Sequence, residues 1–158
     1  MRIGAIVLAA QDVERYLKAV LPFMDSRDPS IGAALRRHRK LERSTLGPLI
    51  DQLTMASVSP CDDFRQQVGE LVKRRNDVVH RFAETYGSQL KTGQHQQVVA
   101  SLWVLEASLL AMRDALAEAV ACLLEALRDT TFLGTPEYGE MVEACASFRR
   151  AARSVPGS

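Results

Sequence analysis

Apolar residues recur at helical spacing along nearly the whole chain, and no stretch alternates apolar and polar positions with β-branched enrichment. A first helix is predicted from about Gly4 to near Leu21, carried through Val13, Leu17 and Val20, with Pro22 ending or kinking it. Asp25-Ser26-Arg27-Asp28-Pro29-Ser30 reads as a loop, and a charged segment of unassigned conformation follows to residue 44. A short second helix spans about Thr45 to Leu53, with Ser44 as a candidate N-cap. Ser59-Pro60-Cys61-Asp62-Asp63 combines a capping serine, a first-turn proline and two acids at the positive end of the dipole, so a third helix starts there. It is predicted to reach Thr85, where Gly87 closes it and a loop runs to Gln94. In the long fourth helix, Val98, Leu102, Leu105, Leu109, Met112, Leu116, Ala119, Leu123 and Leu127 fall at spacings of four and three. That is a coiled-coil-like seam of about four heptads, long enough to project beyond its neighbours or join a dimer. Thr135-Pro136-Glu137 opens a last helix containing Met141, Val142 and Phe148. The expectation is an all-α, up-and-down bundle of four to five helices with one long helix. Residues 1–153 form one domain, and 154–158 form a frayed tail.

Composition narrows the function classes. Hydrophobic residues are 47% of the 158, enough for one sizeable core. The net charge of +1 gives no global attraction for nucleic acid or membrane, so affinity for either must come from local patches. Cys61, Cys122 and Cys145 are odd in number and far apart, and read as reduced thiols of a cytoplasmic protein. No Cys/His cluster has ligand spacing, so neither a metal nor a cofactor is expected. The opening MRIGAIVLAA is too brief an apolar run for a signal peptide, and helical spacing continues through it. The most apolar region, 98–127, is broken by Glu106, Arg113, Asp114, Glu118 and Glu125, so no membrane span is expected.

The third helix carries the candidate chemistry, Arg75-Asn76-Asp77-Val78-Val79-His80. Arginine offers a planar fork of donors to a phosphate, histidine moves a proton near neutral pH, and asparagine orients either. Arg75 falls within an apolar stripe of Phe64, Val68, Leu71, Val78, Val79 and Phe82. Asn76 and His80, one turn apart, share a stripe of small and polar residues with Gly69, Val72 and Ala83. An architectural reading stands beside the chemical one. In it Arg75 pairs with Glu14, Glu106 or Asp114, His80 bonds a backbone carbonyl, and Asn76 bonds across helices.

Arg75, Asn76 and His80 match the R-x(4–6)-H pattern, with Asn directly after Arg, that marks the HEPN superfamily of small all-helical nucleotide-binding proteins. The upstream TLGPLIDQL also resembles a helix that precedes the motif helix in HEPN-type proteins. The likeness covers the middle of the chain. It implies a metal-independent endoribonuclease of a bacterial toxin or defence system, with Arg75, Asn76 and His80 catalytic. It further implies a homodimer whose motif helices meet at a two-fold axis, and an antitoxin or other protein partner. HEPN toxins paired with nucleotidyltransferases resemble RNxxxHxY and are modified on the tyrosine. Phe82 stands at that position here, which removes the acceptor hydroxyl.

Residues 36–43, RRHRKLER, form the densest positive patch. Arg36, Arg37, Arg39 and Lys40, with Lys73, Arg74 and Arg81 of the motif helix, are the candidate RNA-backbone contacts. A solvated charged face is the alternative, and the absence of interleaved aromatics gives no support for base stacking. Two other functions stay open: a non-catalytic helical module that binds RNA, a nucleotide or a protein, and a coiled-coil adaptor dimer working through the long fourth helix.

Overall fold

The computed structural model describes residues 2–24, 28, 30–56 and 62–154, except for the side chains of 56, 62–65, 153 and 154. Among these residues the chain is helical throughout, with no strand. Seven α-helices are seen where four to five were expected. They are α1 (Arg2–Val20), α2 (Ile31–Leu41), α3 (Leu46–Ala56), α4 (Asp62–His80), α5 (Phe82–Lys91), α6 (His95–Phe132) and α7 (Tyr138–Ser154), with a 3-10 turn at Leu21–Phe23.

α6 is the spine. α1 runs beside it in the same direction: Arg2 bonds Glu106 at 2.7 Å, and Tyr16 meets the Phe148 ring of α7 edge-on. α7 returns along the second half of α6, where the Tyr138 hydroxyl donates to Asp129 and Arg149 reaches Glu118 and Glu125. The core gathers Ile6, Val13 and Leu17 of α1, Leu49 of α3, Val68 and Val78 of α4, and Leu102, Leu105 and Leu109 of α6. The 3.5-residue seam read from the sequence is therefore largely consumed inside the chain, because α1 lies on it.

The extra helices have local causes. α2 forms in the charged segment because Ser30 caps it, its hydroxyl accepting the Ala33 N–H at 3.3 Å, while Ala33, Ala34 and Leu41 bury one narrow face. α3 starts at Leu46, so Ser44 does not cap it. The Leu46 N–H is instead accepted by Glu14 of α1, at 3.1 Å. The expected third helix divides at Arg81 (φ −131°, ψ 28°). Backbone bonds from Arg81 N to Asp77 O and from Thr85 N to Arg81 O run through the bend. The bend turns Phe82, Tyr86 and Leu90 onto the core. Gly87 lies inside α5, and the true stop is Gly93 (φ +78°), where Gln94 N bonds Gln89 O at 2.8 Å in a Schellman-like closure. Ser59, Pro60 and Cys61, and the tail beyond 154, lie outside the described residues. Cys122 is an exposed free thiol and Cys145 a buried one. No described helix is long and apolar enough to cross a membrane.

Candidate functional site

α4 enters the core through Val68 and Val78, and that register decides where the motif points. Arg75 falls on the inner side. Its side chain is mostly buried, its Nη1 donates to Asn76 Oδ1 at 3.0 Å, and its Nη2 lies 3.8 Å from Glu14 Oε1. Of the three acids expected as architectural partners, Glu14 is the one in contact. The same Glu14 oxygen caps α3, so one carboxylate ties α1, α3 and α4 together. The Arg75 Nε is buried without an acceptor among the described residues.

His80 ends α4 and is exposed, and it makes no hydrogen bond or ion pair to the described residues. At 100° per residue Arg75 and His80 lie about 140° apart around the helix, whereas Asn76 and His80 lie about 40° apart. Asn76 is therefore the bridge: its amide oxygen holds the arginine, and its position shares an edge with the histidine.

The stripe expected to receive a second motif helix is partly occupied within the chain. A Cβ on Gly47 of α3 would meet Val72 Cγ1 at 3.9 Å, so Val72 faces α3. On the other flank of α4, Asp77 pairs with Arg81 and Glu70 with Arg74 (3.1 Å). Tyr86 sits close enough to Asp77 that its phenol is held above the ordinary tyrosine range, chiefly by burial and then by that carboxylate.

The predicted RNA-backbone residues fall into two groups on different elements. On α2, Arg37 is a strut: Nε donates to Pro22 O and Nη2 to Asp28 O, both at 2.7 Å. Arg36 lies 3.7 Å from the Asp28 carboxylate, which Ser30 and then the α2 arginines hold below the usual carboxylate range. Arg39 and Lys40 are exposed. On α4 and at the bend, Lys73 is exposed while Arg74 and Arg81 occupy intrahelical pairs. α2 packs on the 3-10 turn and the end of α1, so the two groups are not drawn into one cluster. Sequence reasoning did not single out Glu14 as a site residue, although its place on the inner face of the first helix made it one of three candidate partners.

A scan against protein-family models finds no match, and neither do searches among curated proteins and among solved structures.

Proposed function

We propose that the chain is a HEPN-like, metal-independent endoribonuclease whose chemistry lies along the Asn76–His80 edge of α4. His80 takes the ribose 2′-hydroxyl proton as the oxygen attacks phosphorus, and a proton is returned to the departing 5′-oxygen. Arg75 stabilises the charge that builds on the phosphoryl oxygens. Asn76, whose amide oxygen accepts from Arg75 and whose position shares an edge with His80, links the two.

The supporting observation is the imperfect satisfaction of Arg75. Its contact to Glu14 spans 3.8 Å, and its buried Nε has no acceptor among the described residues. A buried ion pair with such gaps stabilises a fold less than a packed apolar side chain of similar volume. Architecture alone therefore gives little reason for an arginine here, whereas an anion-binding role does. An activity of this kind belongs in a toxin or defence system with a restraining protein partner, and the exposed Arg39, Lys40 and Lys73 are available for the RNA backbone.

A second reading, a non-catalytic helical binding module, is favoured by the Glu14 node, which gives Arg75 a place in holding three helices. The deciding experiment incubates purified protein with mixed single-stranded RNA in excess chelator. Cleavage products ending in 2′,3′-cyclic phosphate, lost in His80→Ala, support the nuclease. RNA binding without cleavage supports the module.

A further inference from the structure

α2 buries only Ala33, Ala34 and Leu41, so most of its surface faces outward. Its rotation is fixed by Arg37, whose bonds to Pro22 O and Asp28 O tie that side of the helix to the body of the protein. The far edge cannot turn inward while those bonds hold. It is not an ordinary solvated edge. Ile31 is 51% exposed and Leu35 56%, and residues four apart lie side by side.

Cations surround this aliphatic pair. Arg39 follows Leu35 at the same four-residue step, and Arg36 and Lys40 run along the neighbouring edge. Arg43 is exposed in the turn after the helix. Lys18 of α1 adds a further cation there, its Nζ donating to Glu42 O at 3.0 Å. From residue 31 to residue 43, Glu42 is the single acid among five Arg and Lys. Asp28 offsets Arg36 at 3.7 Å, whereas Arg39, Lys40 and Arg43 form no ion pair with the described residues. In a chain of net charge +1 this is a local concentration of positive charge.

Phosphate is the group such cations fit, and it is offered by a nucleic-acid backbone or by lipid headgroups. The aliphatic pair decides between them. Single-stranded nucleic acid is held by aromatic rings beside the cations, and α2 carries no Phe, Tyr or Trp. Ile31 and Leu35 gain nothing against a phosphodiester backbone. At a bilayer they leave water for the boundary between headgroups and acyl chains. A cluster of four or more cations further selects a surface of negative charge.

We propose that α2 seats the protein on an anionic lipid surface, its axis in the membrane plane. Ile31 and Leu35 enter the boundary, and Arg36, Arg39, Lys40 and Arg43 bond headgroup phosphates. The helix is about 16 Å long, so the contact is peripheral and reversible. The inference goes beyond the nuclease reading and does not rest on it. On lipid, Arg39 and Lys40 are withheld from RNA, so the two ligands compete for them.

The full-length protein is sedimented with phosphatidylcholine vesicles, with and without about one-third phosphatidylserine. It should co-sediment with the anionic vesicles alone, and about 1 M salt, which cuts the screening length to about 3 Å, should release it. Arg39→Gln with Lys40→Gln should weaken vesicle binding at least about tenfold. Leu35→Ser, at an exposed position, should weaken it at least about fivefold and leave binding of single-stranded RNA unchanged. Helical circular dichroism should match wild type in each variant. Absence of binding to the anionic vesicles overturns the proposal. So does vesicle binding indifferent to Leu35→Ser. A charge variant that loses RNA but keeps the vesicles also overturns it and makes α2 an RNA surface.

Discussion

Arg75 and His80 belong to one six-residue motif yet live in different solvents. The arginine is turned inward and held by Glu14 and Asn76, while the histidine stands at the helix end in water. The rotation of an α-helix causes the separation: five residues carry a side chain most of the way to the opposite face. Spacing within a motif thus fixes which residues share an edge, and burial fixes which of them the fold depends on. Here the two properties fall on different residues, so a stability measurement and an activity measurement should disagree about which is more important.

His80→Ala should produce the largest change, and in activity alone. Loss of a general acid or base typically lowers the rate by about 10²–10⁴-fold. Because the ring is exposed and makes no hydrogen bond or ion pair with the described residues, thermal unfolding should stay within about 0.5 kcal/mol of wild type. A gel cleavage assay beside calorimetry checks both. A large loss of stability would put His80 in the fold and erase the contrast.

Arg75→Ala should cost stability as well as cleavage. It leaves the Glu14 carboxylate partly buried without its cation and opens a gap in α4, at a cost of about 1–3 kcal/mol in urea unfolding. Arg75→Lys should regain part of that stability by restoring charge, yet should not restore full cleavage, because an ammonium lacks the two-pronged geometry. Equal rescue of both would mean that the arginine serves as a point charge only.

Glu14→Gln sharpens the inner end further. The amide oxygen can still accept the Leu46 N–H, so the α3 cap survives while the charge is lost. The expected cost is about 1 kcal/mol, less than for Arg75→Ala. A cost as large as that of Glu14→Ala would show that the charge, rather than the cap, holds the node.

The smallest effect concerns the bend beyond His80. The Tyr86 phenol is raised by burial and by Asp77. A group whose folded pKa is raised contributes stability that is complete below its unfolded pKa, near 10, and is lost as pH rises through the higher folded value. Ultraviolet titration should find Tyr86 and Tyr138 both ionising late, the second because its hydroxyl donates to Asp129, and Asp77→Asn should bring down Tyr86 alone, with only a minor change in alkaline stability. An unshifted phenol would mean that this end of the motif is as open as His80 itself.

Much of this was legible in the chain. Helical spacing gave the all-α class and placed the long α6 and its apolar seam, because periodicity sums over many residues. The seam's partner was not legible: the same pattern serves a second chain or a helix from the same chain, and α1 turned out to cover it. α2 was hidden because its buried face is only Ala33, Ala34 and Leu41 beneath a crowd of arginines. The bend at Arg81 was hidden because neither glycine nor proline marks it, while Gly87 gave a false stop inside α5. At the site, the placement of Arg75 within an apolar stripe was readable from the register of Val68 and Val78. The choice of Glu14 over Glu106 was not, since Glu106 is taken by Arg2, a contact across 104 residues.

That last separation also sets a schedule. On a ribosome adding about 5–20 residues per second, α1 emerges on the order of 5–20 s before the stretch of α6 that covers it. During that interval Ile6, Ala10, Val13 and Leu17 form an apolar stripe with no α6 to lie against. Until the middle of α6 is complete, the nascent protein has only α3 and α4 to lie against this stripe. A chain cut short before that point is not a smaller domain. It is a set of helices whose largest apolar face still lacks its cover.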